Sequence, residues 1–274
     1  MNVKMETNGL TKIKTCFTIN QNRKTDEFKT YEMLIKDDLF QAVEIFYPYD
    51  KTIEEQITYE NNAKKFEKYN IEFVLHLPFG PKSDLLNEEQ YNIILQRMKD
   101  GIDFGKKFNV KKYTLHLGSF KKDKVDRKYS VNKCIETMKI LCDYAYPSYI
   151  MIENMPGFNE LGYSPNEIKE ILVKTNKPNA KFIIDFGHAN VSEYSIKDYI
   201  YTLKDYLVHT HISDNDGSCD QHKPIGYGNI DYKEVYSLMN EVNYKELYCL
   251  EIIYHTSEDL KEYQKKLLES LKIN

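Results

Sequence analysis

The sequence contains no tryptophan, only three arginines and no apolar run long enough to cross a membrane. Arg23, Arg97 and Arg127 leave few guanidinium groups for a bidentate grip on phosphate. The net charge of −4 gives no general attraction to nucleic acid, so such binding would need a local basic patch. The amino terminus lacks the apolar core of a signal peptide, and we therefore expect a cytoplasmic protein with no membrane partner.

The chain also lacks the signs of a disulfide framework and of a linker. The five cysteines are scattered and form no C-x-x-C pair: Cys16, Cys134, Cys142, Cys219 and Cys249. An odd, scattered set favours a reducing compartment. Without a Ser/Gly-rich, Pro-rich or low-complexity segment, we expect one domain over residues 1–274, a length that suits a single barrel of about 250 residues. The oligomeric state stays open.

Short apolar runs alternate with longer amphipathic runs along the whole chain. The strand-like runs are Lys12–Ile19, Ala42–Tyr47, Ile71–Leu77, Lys112–Leu117, Tyr149–Ile152, Phe182–Phe186, Leu207–Ile212 and Leu247–Ile253. The helical runs are Asp26–Phe40, Ile53–Tyr69, Tyr91–Phe108, Val131–Tyr144, Pro165–Lys174 (with Ser164 as its N-cap), Ile196–Tyr206, Tyr232–Val242 and Asp259–Ile273. Because parallel strands need crossover helices of constant handedness, this alternation predicts a (β/α)8 TIM barrel, with a doubly wound open sheet as the alternative.

The seventh predicted strand runs directly into a polar loop. It places His209 and His211 two residues apart, so both imidazoles share one face of the strand. Asp220 and His222 follow as an Asp-x-His pair in a loop rich in glycine and proline. Imidazoles and carboxylates that converge at a strand end are typical of zinc or manganese sites. His209 lies one layer deeper than His211, and we expect it to pack or to support the site.

Other strands end in the same way. Six consecutive strands, the third to the eighth, finish on a side chain that can bind a metal ion: His76, His116, Glu153, Asp185 with His188, His211 and Glu251. In a barrel of parallel strands the carboxyl ends meet on one face, which is where active sites lie. The sequence therefore predicts a metal site at that face.

The residues at these strand ends are similar to the metal ligands of endonuclease IV, the apurinic-site endonuclease of the xylose isomerase-like TIM barrel superfamily. The matching sequence words are E-N-x-x-G from Glu153, D-x-x-H from Asp185, HISD from His211, and D-x-H followed by G-x-G-N-I from Asp220. All nine ligand positions of that family are filled: His76, His116, Glu153, Asp185, His188, His211, Asp220, His222 and Glu251. The resemblance implies two or three zinc ions, Glu153 as a bridging ligand, Glu153 and Glu251 as catalytic groups, and hydrolysis of a phosphodiester or phosphoester.

The chain departs from that family where the nuclease grips DNA. The loop after the second strand, PYDKTIEEQ, is short and acidic where the family has arginine and tryptophan, and Tyr227 replaces a glutamate. Phe79 stands where the nuclease inserts an aromatic side chain into DNA. A basic run follows the fourth strand and reads equally well as a solvated loop: Lys121, Lys122, Lys124, Arg127 and Lys128. The substrate is thus expected to be a phosphorylated sugar or a nucleic acid, and duplex DNA is weakly supported.

Sugar and sugar-phosphate isomerases and epimerases of the same superfamily also resemble this chain and give the alternative function. They hold one metal ion, here implied to be Mn²⁺, Mg²⁺ or Co²⁺, on four ligands: Glu153, Asp185, His211 and Glu251. Two carboxylates beside a metal-bound hydroxy-ketone can pass a proton between neighbouring carbons. His188, Lys223 and Asp214 would then contact the substrate, although Asp214 and Asn215 could instead support the ligands. A metal-holding binding protein without catalysis is a third alternative.

Overall fold

A computed structural model describes residues 13–19, 28–120 and 126–271, and within these ranges eight parallel strands close into a barrel. The strands are β1 Lys14–Ile19, β2 Ala42–Phe46, β3 Glu72–His76, β4 Lys112–Leu115, β5 Tyr149–Glu153, β6 Ala180–Asp185, β7 Leu207–Ile212 and β8 Leu247–Leu250. Each strand pairs with the next, and the β1–β8 pairing, with Cys16 opposite Cys249, completes the ring. The predicted (β/α)8 barrel is confirmed, and the open sheet is excluded.

Helices follow the strands and cover the outside of the barrel. They are α1 Phe28–Lys36, α2 Ile53–Lys64, α3 Tyr91–Lys106, α4 Arg127–Ala145, α5 Pro165–Thr175, α6 Phe186–Val191, α7 Ile196–Leu203, α8 Tyr232–Glu241 and α9 Ser257–Ser270. Capping boxes at Thr52, Ser195 and Thr256 fix the starts of α2, α7 and α9, because each hydroxyl accepts the backbone N–H three residues on. No helix within the described ranges is both long and apolar enough to span a membrane.

Some predicted boundaries were wrong. Phe186 was expected to end the sixth strand, but it begins helix α6, because the Asp185 carboxylate accepts the His188 backbone N–H at 2.7 Å and caps a helix there. Ser164 does occupy the N-cap position of α5, yet its side chain makes no capping hydrogen bond. The predicted element ends at Lys12, Asp26 and Ile273 lie outside the described residues.

The apolar core lies mainly between the strands and the helices, and the barrel interior is smaller and partly polar. The interior apolar side chains are Cys16, Ala42, Val74, Met151, Ile183, Leu247 and Cys249. At the amino end of the barrel, the buried Lys112 ammonium lies 3.0 Å from the Glu72 carboxylate and 3.0 Å from the Glu246 carboxylate. This ion pair lies at the opposite end of the barrel from the predicted site.

Candidate metal centre

A cavity of about 660 Å³ opens at the carboxyl ends of the strands. Its wall combines aromatic and aliphatic side chains with imidazoles and carboxylates, among them Phe46, Phe79, Asp84, Glu160 and Tyr254. No lysine or arginine occurs among the described residues that line it. The cavity is of the size that holds a small molecule.

The first cluster of potential ligands consists of His76, His116 and Glu153, at the ends of β3, β4 and β5. The Glu153 Oε2 atom lies 2.9 Å from His116 Nε2 and 3.5 Å from His76 Nε2. The ring of Phe79 packs beside both imidazoles, with centroids 4.8 Å from His76 and 5.3 Å from His116. The predicted aromatic therefore covers this cluster and lines the cavity.

The middle cluster consists of Glu153, Asp185, His211 and Glu251, from β5, β6, β7 and the residue after β8. His211 Nδ1 lies 3.0 Å from Glu153 Oε1, 2.9 Å from Glu251 Oε2 and 3.8 Å from Asp185 Oδ2. Glu153 thus presents one carboxylate oxygen to each of the two clusters. A carboxylate in this position could contact a cation held by either cluster.

The third cluster consists of His188, Asp220 and His222. Asp220 Oδ2 lies 2.8 Å from His222 Nε2 and 3.4 Å from His188 Nε2. His188 comes from helix α6, whereas Asp220 and His222 come from the loop after β7. The structure therefore brings all nine predicted ligands into three adjacent groups at the carboxyl end of the barrel, where all but Asp185 and His211 line the cavity.

Hydrogen bonds to carbonyl oxygens set which nitrogen of three imidazoles carries the proton. The Nδ1 atoms of His76, His188 and His222 lie 2.8, 2.8 and 3.0 Å from the carbonyl oxygens of Leu77, Asn154 and Glu251. A carbonyl oxygen only accepts, so each Nδ1 must donate and each neutral ring keeps a lone pair on Nε2. In all three residues Nε2 faces a carboxylate of its cluster, which is the arrangement that a metal ligand requires.

Two buried carboxylate atoms support the fit to a cation. Asp185 Oδ2 and Asp220 Oδ1 have no hydrogen-bond partner within the described structure, although both are shielded from water. Burial raises the pKa of Asp185 to about 7, against the lowering effect of the His188 charge. A divalent ion would supply the positive charge that these oxygens face, and it would displace protons from the ligands on binding.

Two site residues were missed by the sequence reasoning. Glu44 on β2 is fully buried, and its Oε2 atom lies 2.8 Å from His211 Nε2 and 3.2 Å from His209 Nε2. Its signal was a single charge within the apolar strand AVEIF. Asn154 exchanges hydrogen bonds with the Asp185 backbone, at 2.7 Å to the N–H and 2.9 Å to the carbonyl, which joins the ends of β5 and β6.

Asp214 and Lys223 were expected to contact the substrate, but neither residue lines the cavity. The Asp214 carboxylate accepts four backbone N–H groups, those of Asn215, Gly226, Gly228 and Ile230. A Cβ at Gly228 would lie 2.2 Å from Asp214 Oδ1, so the G-x-G word lets the backbone close around this carboxylate. The Asp214 and Lys223 backbones are also hydrogen-bonded to each other. Both residues therefore brace the loop that carries Asp220 and His222.

The structure describes two residues of the predicted basic run, Arg127 and Lys128. Lys121, Lys122 and Lys124 lie outside the described residues. Arg127 forms an ion pair with Glu167, with Nε 2.6 Å from Oε2, and its guanidinium packs over the rings of Phe120 and Phe158. This arginine is therefore engaged in internal contacts.

Comparisons with known proteins agree with the barrel fold. An uncharacterised protein, MJ1311, of Methanocaldococcus jannaschii is 28% identical over 214 residues, which cover 72% of this chain and 71% of that protein. The crystal structure of a D-tagatose 3-epimerase-like protein superposes with a TM-score of 0.78 at 23% identity, covering 95% of this chain and 100% of the other.

The crystal structure of D-allulose 3-epimerase from Methylomonas sp. has a TM-score of 0.76 at 14% identity, covering 95% and 98% of the two chains. Likeness at this level of identity establishes the fold alone. The sequence profile of the xylose isomerase-like TIM barrel family matches residues 31–273. The chain therefore belongs to the xylose isomerase-like TIM barrel family.

Proposed function

We propose that this protein is a polynuclear divalent-metal hydrolase that cleaves a phosphoester bond in a small, hydroxyl-rich substrate. One observation carries the proposal: nine ligand side chains form three adjacent clusters, of which two share the Glu153 carboxylate. A single-metal enzyme would need only the middle cluster. The first and third clusters have imidazoles held with Nε2 available, which a packing role would not require.

The bound ions, for which zinc suits the imidazole-rich set, would supply a nucleophilic hydroxide at neutral pH and neutralise charge on the phosphoryl oxygens. Glu153 would contribute one carboxylate oxygen to the first cluster and the other to the middle cluster. Glu251, 16% exposed at the cavity floor, can hold or release a proton at Oε2 beside the reacting group. Phe46 and Phe79 form an apolar wall that would exclude water.

The cavity favours a small substrate over duplex DNA. Its described wall offers no lysine or arginine for a polyanionic backbone, so the metal ions would hold a single phosphate group. Asp84 and Glu160 lie in the wall, and carboxylates of this kind can accept hydrogen bonds from sugar hydroxyls. The loop after β2 is also short, because the capping box at Thr52 starts α2 at Ile53. A phosphorylated sugar fits these features best.

Isomerisation or epimerisation of a sugar is the second candidate. The epimerase names of the solved neighbours favour it, and the middle cluster alone offers the two carboxylates that proton transfer between adjacent carbons needs. Glu153 Oε1 and Glu251 Oε2 lie 3.0 and 2.9 Å from the same His211 nitrogen, so both flank one position. Manganese, magnesium or cobalt would suit this carboxylate-rich set.

Metal content and a substrate panel separate the two candidates. Protein purified without chelator or added metal is analysed for metal per chain, then assayed on sugar phosphates, bis(p-nitrophenyl) phosphate, abasic DNA and free ketohexoses. About three ions with phosphate release are expected. One ion with epimerised ketohexose and no phosphate release would overturn the hydrolase. Glu251→Gln should remove either activity while the far-ultraviolet circular dichroism spectrum stays unchanged.

A further inference from the structure

We propose that Glu44 is a positioning residue that fixes the proton of His211 on Nε2 and so makes the middle cluster the tightest of the three metal sites. This inference rests on the metal centre of the proposed function. It concerns a residue that lies beneath the centre, outside the nine ligands and outside the cavity wall.

Glu44 is the one carboxylate that the described structure places inside the barrel below the ligands, and none of its surface is exposed. Its Oε2 atom lies 2.8 Å from His211 Nε2, 3.2 Å from His209 Nε2 and 3.6 Å from Cys249 Sγ. Its Oε1 atom accepts the Thr114 hydroxyl at 2.8 Å. An ionised carboxylate offers only acceptors, so all four neighbours donate to it.

His211 is oriented in the reverse sense to the other anchored histidines. His76, His188 and His222 donate from Nδ1 to carbonyl oxygens and face their clusters with Nε2. His211 instead faces the middle cluster with Nδ1, so its proton must lie on Nε2 for the ring to bind a metal ion there. Glu44 Oε2 is the acceptor that holds the proton on that nitrogen.

A carboxylate acceptor has a stronger effect than a carbonyl oxygen. Hydrogen bonds to an ionised acceptor are roughly twice as strong as neutral ones, and an anionic partner raises the basicity of the opposite imidazole nitrogen. The ring nitrogen of His211 that points away from its cluster donates to a carboxylate, that of Glu44. The corresponding nitrogens of His76, His188 and His222 donate to carbonyl oxygens. The middle cluster should therefore be the first to bind a metal ion as metal is added and the last to lose its ion to a chelator.

The neighbours of Glu44 hold its carboxylate in place. Thr114 fixes Oε1, while His209 shares Oε2 with His211 and lies one layer deeper on the same strand. The four residues Glu44, His209, His211 and Cys249 could in principle bind an ion themselves, since their ligand atoms lie within 4.8 Å of one another. Such an ion would take the Nε2 lone pair of His211 and move its proton to Nδ1, which would disable the middle cluster. Proton placement thus decides between the two arrangements.

The test compares the wild-type protein with Glu44→Gln and Glu44→Asp, and uses Thr114→Val as the matched control. Zinc affinities of the full chain are measured by chelator competition, and long-range ¹H–¹⁵N spectra of zinc-loaded, histidine-labelled protein report which His211 nitrogen carries the proton. Glu44→Gln should weaken one of three sites by about 10–100-fold, leave the other two within about twofold, and change the His211 tautomer signal. Thr114→Val, which leaves Oε2 in contact with His211, should change no site by more than about threefold.

Equal affinities at all three sites in the wild type and in the folded Glu44 variants would overturn the inference while leaving the proposed function standing. Glu44→Asp keeps the charge but withdraws it by one methylene, so it provides the same test if Glu44→Gln does not fold. A fourth zinc ion lost on Glu44 substitution would overturn the positioning role in favour of a buried metal site. A wild-type protein that binds no divalent ion would overturn the proposed function and this inference together.

Discussion

Replacing Glu153 with glutamine should remove two of three metal ions and leave the third in place. Glu153 supplies one of three ligands to the first cluster and one of four to the middle cluster, and it does not belong to the third. The substitution keeps the shape of the side chain and removes one unit of negative charge. The loss should therefore be specific to the two clusters that share the carboxylate.

The magnitude follows from Coulomb's law. Two unit charges about 4 Å apart interact by about 4 kcal/mol at an effective dielectric constant near 20, which is close to a thousandfold in affinity. A divalent ion bound directly to the carboxylate would lose at least this much. Zinc held in the nanomolar range by the wild type would then dissociate from the first and middle clusters during gel filtration at micromolar protein.

The assay is metal per chain by inductively coupled plasma mass spectrometry, with about three ions expected for the wild type and about one for Glu153→Gln. Glu160→Gln is the control, because Glu160 lies in the same cavity wall but in none of the clusters, and it should keep about three ions. If Glu153→Gln kept three ions with wild-type affinity, or if Glu160→Gln lost as many, the bridging assignment would be refuted.

Three further predictions follow from the same geometry. Asp220→Asn should lose one ion, that of the third cluster, and keep the other two, which metal analysis would show; loss of all three ions would contradict separate clusters. Removal of metal with a chelator should lower the melting temperature by about 8–15 °C, since ligand at 1,000 times its Kd adds about 4 kcal/mol, and an unchanged melting curve would mean that no metal stabilises the fold. Lys112→Met should lower the free energy of unfolding by about 1–2 kcal/mol in urea titrations, a figure discounted because Glu72 and Glu246 are partly exposed. Burial lowers the pKa of Lys112, but Glu72 and Glu246 outweigh it and raise that pKa above 10.5, so the contribution is present at neutral pH and is lost as the pH rises through the raised value. A Lys112→Met effect that grows as the pH rises above 10.5 would contradict this account.

The side chains that meet at the candidate metal centre could be predicted because they combine two strong local signals. A histidine or carboxylate directly after an apolar run marks a strand end, and parallel strands bring those ends together, so His116 and Glu251 could be placed at the site although each lies one residue beyond its strand. Helix α6 was missed because Asp185 was interpreted only as a ligand, whereas its Oδ1 atom also caps the helix and its Oδ2 atom lies in the middle cluster.

Glu44 could not be assigned from local sequence, because its partners are distant along the chain. Thr114 is 70 residues away and His209 is 165 residues away, and only barrel closure brings them together. A charged residue in the middle of an apolar strand indicates that it has a buried hydrogen-bond or ion-pair partner, but it does not indicate which residue that partner is. The same reason explains why the sequence could not decide between a substrate contact and a supporting role for Asp214, since the backbone amides that hold it come from a turn with no periodic pattern.

The polar interior of the barrel has a consequence for how relatives of this protein diverge. Burial lowers the pKa of His209, the contact with Glu44 opposes that shift, and the charge of Lys112 at the amino end of the barrel adds a smaller lowering effect. Loss of Glu44 would leave His209 Nε2 buried without its acceptor, whereas loss of His209 would leave Glu44 with His211 and Thr114 as donors. A histidine at position 209 should therefore be found only in relatives that keep Glu44, even where their loops, and the molecules they act on, differ.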